Sequence, residues 1–333
     1  MRKGQGRTID AEMLDLRETF IDELIELAAV EPRLVVLDAD VSRTSRSRRF
    51  RDAYPDRFFD MGIAEQDMTG VAAGLANVGL IPVTITFAVF ATMRAAEPLR
   101  TSICYPELNA KVIGGYAGFS NSKDGATHHS IEDIAITRAF PNLAVLTPSD
   151  GVMARKVLRA AVTHQGPVYI RLEYETSPRL HDPDVEFEIG RGYRLREGDD
   201  VTIASYGVAV ARALEAARRL AADGIEADVL DMASLKPLDE PLLSESVART
   251  GALVVLEDHN IHGGLGSAAA RVVLEAGLTP RFHAIGISDT FTESAAKPDE
   301  LRVKYGVGTD AVVEAVRSLL PAAAPALSTG ARA

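Results

Sequence analysis

FFDMGIAEQDMTGVAAGLANVGLIPVTITF, residues 58–87, decides the fold. Its middle, AEQDMTGVAAGLANV, is small, apolar and spotted with glycine, which suits a buried helix packed closely against its neighbours. Its end, IPVTITF, is a β-branched apolar run with Pro82 near its start, and reads as a strand. A carboxylate, Glu65, stands at the start of the helix, and a pair of phenylalanines, Phe87 and Phe90, is expected to end the strand.

The alternation continues on both sides. Upstream, a helix over about 13–30, with Leu14, Phe20, Leu24 and Leu27 as its stripe, leads into strand RLVVLDAD. Downstream come a helix over about 91–103, strand KVIGGY, the polar loop GFSNSKDGATHH, helix SIEDIAITRAF, strand NLAVLTPS, a helix over 150–163 and strand PVYIRL. Residues 173–191 carry Pro178, Pro183, several acids and no helical period, and read as a linker. A second unit follows, with strands VTIASYG, EADVLDM, ALVVLED and RFHAIGI and helices over about 208–223, 238–248, 266–276 and 310–320. Continuous apolar strands alternating with helices predict an α/β protein of two parallel-sheet domains, over 8–175 and 191–320, joined by a linker at 176–190. The Ala- and Pro-rich residues 321–333 are expected to be a disordered tail.

Composition narrows the function. A net charge of −11 without a long basic run argues against nucleic-acid binding. The cluster RTSRSRR, residues 43–49, reads as a solvated loop or a patch facing anions. One cysteine, Cys104, permits no disulfide within the chain, and no run is long and uncharged enough to span a bilayer. With no apolar signal core at the start, the expectation is a cytoplasmic protein away from membranes.

Three elements can carry chemistry. Glu65 complements a helix dipole, or it faces a ring nitrogen of a buried heterocycle, where Ile63, Ala64 and Val71 would keep the carboxyl protonated. Phe87 and Phe90 are core packing, or a stacking surface for that same ring. The loop SKDGATHH holds Asp124, His128 and His129 before a helix, as α/β active-site loops do. Adjacent histidines rarely converge on one ion and no cysteine or carboxylate cluster completes a set, so no metal site is assigned. GLGSAA, residues 264–269, fits a dinucleotide pattern, but it lies beyond its strand and late in the chain. Close helix packing or an interface turn is the better reading.

In order along the chain, DLRETF, VVLDADV, RFFDMGIAEQDMTGVAAGLA, DGATHHSIEDIAITRAFPNLAVLTPSD, GPVYIRL, DMASLKPLD and VVLEDHNIHGGLGSA resemble the C-terminal half of a transketolase of the kind encoded as two subunits. The resemblance implies a pyrimidine-binding domain followed by a transketolase C-terminal domain, with thiamine diphosphate as cofactor. It makes Glu65 the activating acid and Phe87 and Phe90 the rings around the aminopyrimidine, with Asp40 near the thiazolium side. It places Asp124 and His128 at the sugar's hydroxyls, His128 also as a catalytic residue. Arg17, Thr44 and Arg171 would hold a substrate phosphate.

There are departures. Tyr116 stands in the substrate channel where a histidine is usual, Asp67 replaces a usual asparagine, and Ser294–Ala296 replaces a Ser-Gly pair. These touch the acceptor side, so the substrate stays open. The chain also lacks the G-D-G motif and following asparagine that hold Mg2+ and the diphosphate in this family. The resemblance therefore implies a partner subunit that carries them, and an α2β2 heterotetramer acting on small sugars. The β subunit of a 2-oxo-acid dehydrogenase and a non-catalytic regulatory subunit of the same fold remain alternatives.

Overall fold

In the computed structural model, which describes residues 12–320, the apolar runs become two parallel-rich sheets covered by helices. The first unit contains β1 (Met13–Asp15), α1 (Leu16–Val30), β2 (Leu34–Asp38), α2 (Ser42–Ser45), α3 (Arg48–Ala53), β3 (Phe58–Asp60), α4 (Glu65–Asn77), β4 (Ile81–Phe87), α5 (Ala96–Pro98), β5 (Lys111–Gly115), α6 (Asp133–Ala139), β6 (Ala144–Leu146), α7 (Gly151–Thr163), β7 (Val168–Leu172) and β8 (Thr176–Pro178). The second contains β9 (Tyr193–Arg196), β10 (Val201–Ser205), α8 (Ala209–Ala222), β11 (Ala227–Asp231), β12 (Ser234–Lys236), α9 (Glu240–Thr250), β13 (Ala252–Asn260), α10 (Leu265–Glu275), β14 (Arg281–Ile287), α11 (Pro298–Lys304) and α12 (Thr309–Leu319). The expected tail and the first residues of the expected first domain lie outside the described residues. Among the described residues, no helix is long and apolar enough to cross a membrane.

The first sheet runs β12-β6-β7-β5-β4-β2-β3 and the second β14-β13-β10-β11-β9. Every residue of β2, β5, β7, β10 and β11 is buried, which is why those runs are largely apolar without alternation, with Asp38, Lys111, Arg171, Asp228 and Asp231 as buried charged exceptions. β2 has β3 on one side and β4 on the other, so the order reverses there, and because β2, β4 and β5 run parallel their carboxyl ends share one edge.

Several expectations change. Met13–Asp15 is extended and pairs antiparallel with β8, Leu14 opposite Ser177. That pairing holds the three residues extended, and the Asp15 side chain caps the helix by accepting the Glu18 amide, so the helix begins only at Leu16. Phe90 does not end a strand. β4 stops at Phe87, and Phe90 opens a π-helical turn in which the Ala95 amide reaches the Phe90 carbonyl. The residues expected as a linker are held fast. Asp150 accepts the Leu180 and His181 amides at 2.6 and 2.8 Å, while caging the start of α7 through the Met153 amide. Buried His181 meets Asp231 of β11 at 2.8 Å, and Ser149 donates to the same carboxylate at 2.5 Å. The second unit also lends β12 to the first sheet, antiparallel to β6.

GLGSAA has a structural explanation. The Leu265 and Gly266 amides at the start of α10 donate to the buried Glu257 carboxylate at 2.8 and 3.0 Å. A Cβ on Gly264 would lie 2.1 Å from a Glu257 oxygen. The helix terminus holds the chain's own anion, and its glycine allows that approach.

Candidate active site

α4 begins at Glu65, so this side chain leaves the first helical turn toward the end of β4. It is only 2% exposed. Thr86 of β4 donates its hydroxyl to Oε1 at 3.4 Å, and Arg94 donates Nη1 to Oε2 at 2.8 Å. The π-helical turn brings Arg94 onto the same face as Phe90, with its guanidinium 4.2 Å from the Phe90 ring centre. The rings of Phe87 and Phe90 lie 5.9 Å apart and 21° from parallel. His128 meets both edge-on, at 5.8 and 5.3 Å. Its Nδ1 is 2.9 Å from the Thr127 hydroxyl.

The set continues beyond the rings. Tyr116, just after β5, packs edge-on against Phe87 at 5.1 Å and at a tilt of 57° against Tyr174 at 4.6 Å. Its backbone is left-handed, with φ 54°, a conformation that carries strain for a tyrosine. Arg17 lies over Tyr174 at 5.5 Å and donates Nη1 to the Thr44 carbonyl at 2.9 Å. Joined through Arg94 and Tyr174, the residues Glu65, Phe87, Phe90, His128, Tyr116, Arg17 and Thr44 thus form one unbroken series of contacts. Asp40 follows β2 in a left-handed conformation and is exposed. Asp124 is exposed on the loop beyond β5, where Asn121 donates to it at 2.8 Å.

A cavity of about 720 Å³ opens beside Tyr116 and Tyr174, bounded by Arg17, Asn121, Arg212 and Arg302. Its size suits a small substrate. Among the described residues, Arg17 Nε is buried there without a hydrogen-bond partner.

The loop that carries Thr44 hangs on Asp38. This buried carboxylate accepts the Val41 amide at 2.6 Å and the Ser47 and Ser45 hydroxyls at 2.7 and 3.4 Å. Burial pushes its pKa up to about 6, against the pull of Ser47 and the Val41 amide and with some help from Asp60.

Two readings of the site fail. Arg171 does not face a substrate: it is fully buried on β7, between the two units. Its Nη1 meets Glu173 at 2.7 Å, Nε meets Asp133 at 3.1 Å, and Nη2 donates to the Asp258 carbonyl at 2.9 Å. A strand buried on both faces leaves an inward arginine no route to solvent, so it is neutralised in place. The apolar wall expected for Glu65 from Ile63, Ala64 and Val71 also loses two of its members, because Ile63 and Val71 point outward, 74% and 37% exposed, while Ala64 is half-buried. Ile63 precedes the helix and Val71 lies on its outer face, so Thr86 and Arg94 surround the carboxyl instead. The sequence did not point to Arg94, Thr86 or Tyr174. The four-residue spacing of Phe90 and Arg94 was the one available signal, and it needs the segment to be helical.

Residues 12–177 match the model of the transketolase pyrimidine binding domain, and residues 190–312 that of the transketolase C-terminal domain. The chain is 40% identical over 304 residues to one chain of the 6-deoxy-6-sulfo-D-fructose transketolase of Clostridium sp. strain MSTE9, covering 91% of this chain and 94% of that protein. It is 35% identical to one of the chains of the apulose-4-phosphate transketolase of Actinobacillus succinogenes, over 86% of this chain and 92% of that one. Among solved structures it is similar to a split-gene transketolase in an inactive β4 tetramer. That match has a TM-score of 0.83 and 46% identity, and covers 92% of this chain and 98% of the other.

Proposed function

The chain belongs to the transketolase family and corresponds to the enzyme's C-terminal section, and from that premise we propose that it is one subunit of a two-chain transketolase. It transfers a two-carbon ketol unit from a ketose to an aldose, in the cytoplasm, as part of an α2β2 assembly. The partner supplies the Mg2+ and diphosphate site. Apart from that partner the chain is inactive, like the β4 tetramer it resembles.

The observation that carries this reading is the buried Glu65 carboxyl beside the stacked Phe87 and Phe90 rings. These residues fit a flat nitrogen heterocycle: a face on which to stack, and an acid to hold a proton at a ring nitrogen. Bound there, thiamine diphosphate supplies the electron sink for breaking the ketose carbon bond. Glu65 sets the tautomer of the ring it holds. If His128 Nδ1 accepts the Thr127 hydroxyl at 2.9 Å, Nε2 carries the proton and donates it to a substrate oxygen. Asp124 receives a sugar hydroxyl, and Asp40 lines the thiazolium side. Tyr116 narrows the channel above Phe87. Arg17, with its unpartnered Nε, and the loop at Thr44 receive an anionic group at the substrate's far end. The sugars for which the two relatives are named carry such a group, a sulfo group in one and a phosphate in the other.

The test is reconstitution with the chain that carries the G-D-G motif, followed by turnover on ketose phosphates, sulfoketoses and 2-oxo acids. Ketol transfer that falls roughly 10²–10⁴-fold in Glu65→Gln is the expected result. Activity on 2-oxo acids alone, or an active Glu65→Gln complex, overturns the assignment.

A further inference from the structure

Glu65 presents a problem that the heterocycle alone does not solve. A buried carboxylate with no partner is costly, and a cofactor site must exist without its cofactor for part of its life. Arg94 answers this. Its guanidinium is flat, lies 4.2 Å from the Phe90 ring centre, and aims Nη1 at Glu65 Oε2 from 2.8 Å. Those are the two interactions a heterocycle needs in the same place, a ring face and the Glu65 carboxyl. Both groups cannot hold that position at once.

Arg94 is also built to leave. Its side chain is 45% exposed at the end of a flexible stem. Its backbone is held separately, by the Gln66 side-chain amide donating to the Arg94 carbonyl at 3.0 Å. The side chain can swing into solvent without disturbing the π-helical turn that carries Phe90.

We propose that Arg94 is a place-holder for the cofactor's aminopyrimidine ring, filling the slot between Glu65 and Phe90 in the empty chain and giving it up when the ring enters. The inference rests on the reading of Glu65 as the ring's acid. It sets Arg94 apart from an ordinary surface ion pair, because its removal should act in opposite directions. The empty chain loses stability, whereas the slot binds a ring more tightly.

The experiment is calorimetric titration of the full chain with 4-amino-5-hydroxymethyl-2-methylpyrimidine, which carries the ring without the diphosphate. Four proteins are compared: wild type, Arg94→Met, Glu65→Gln and the double variant. Methionine keeps an apolar stem over Phe90 and removes the charge. Arg94→Met is expected to bind the probe about tenfold more tightly, the scale of one competing charge-assisted hydrogen bond. That gain should vanish in the double variant, and the melting temperature of unliganded Arg94→Met should fall. If Arg94→Met binds no more tightly while Glu65→Gln weakens binding, the place-holder is overturned and the reading of Glu65 stands. Absence of binding by all four overturns it too, and leaves Glu65 to be judged by turnover of the reconstituted enzyme.

Discussion

Arg171→Met converts a buried cation into an apolar side chain of similar reach and leaves its partners behind. Asp133 and Glu173 are 0% and 2% exposed, so neither carboxylate gains water when the guanidinium goes. Glu173 loses a 2.7 Å contact and Asp133 one of 3.1 Å, and the Asp258 carbonyl loses its donor. Burial already raises the Glu173 pKa, with Arg171 opposing it, so without Arg171 this acid is driven toward its neutral form. Breaking a buried pair by removing one member costs about 3–5 kcal/mol. At roughly 2–4 °C per kcal/mol for a chain larger than one small domain, the melting temperature should fall by about 10 °C. Arg171→Met/Glu173→Gln should recover part of that loss, because a neutral amide replaces the stranded charge while still accepting the Val208 amide that now lies 2.8 Å from Glu173. Thermal unfolding followed by far-ultraviolet circular dichroism, beside substrate KM in the reconstituted enzyme, decides the matter. An unchanged melting temperature with a raised KM for phosphorylated substrates would refute the structural role and restore the expectation of a phosphate ligand.

Phe90→Ala removes one face of the stacked pair and should weaken thiamine diphosphate binding by the reconstituted complex roughly 3–10-fold, measured by cofactor titration of activity. For Asp38, the folded pKa of about 6 exceeds the ordinary value of 3.8, so its contribution to stability is complete below about 3.8 and is lost as pH rises through about 6. The change amounts to about 3 kcal/mol at 1.36 kcal/mol per unit. Asp38→Asn should flatten the urea midpoint between pH 4 and 6.5, and a variant that keeps the wild-type slope would show that another group is responsible. His181→Ala should loosen the segment between the two units, seen as faster hydrogen exchange at the Leu180 and Ser149 amides while the β4 and β5 amides stay protected. Equal acceleration in all four places would mean that the segment has no separate anchoring role.

The sequence by itself determined the alternation of apolar strands and helices, and with it two α/β units, because burial on both faces of a parallel sheet leaves few alternatives to continuous apolar runs. It also pointed to Glu65, Phe87 and His128, since a helix start, a strand end and the loop before a helix are local properties, and it named Phe90 on the expectation of a strand end where the chain forms a π-helical turn. Pairings between distant segments were not legible. Whether Met13–Asp15 is helix or strand depends on β8, some 160 residues away, and the contribution of β12 to the first sheet depends on how the two units dock. Arg171 matched a phosphate ligand in sequence, but the sheet around it closes off solvent and gives it Asp133, Glu173 and the Asp258 carbonyl instead. The approach of Arg94 to Glu65 required the π-helical turn, which a string of residues does not announce. What each side chain could do chemically was set by its type, and what it meets was set by the packing of elements far apart in the chain.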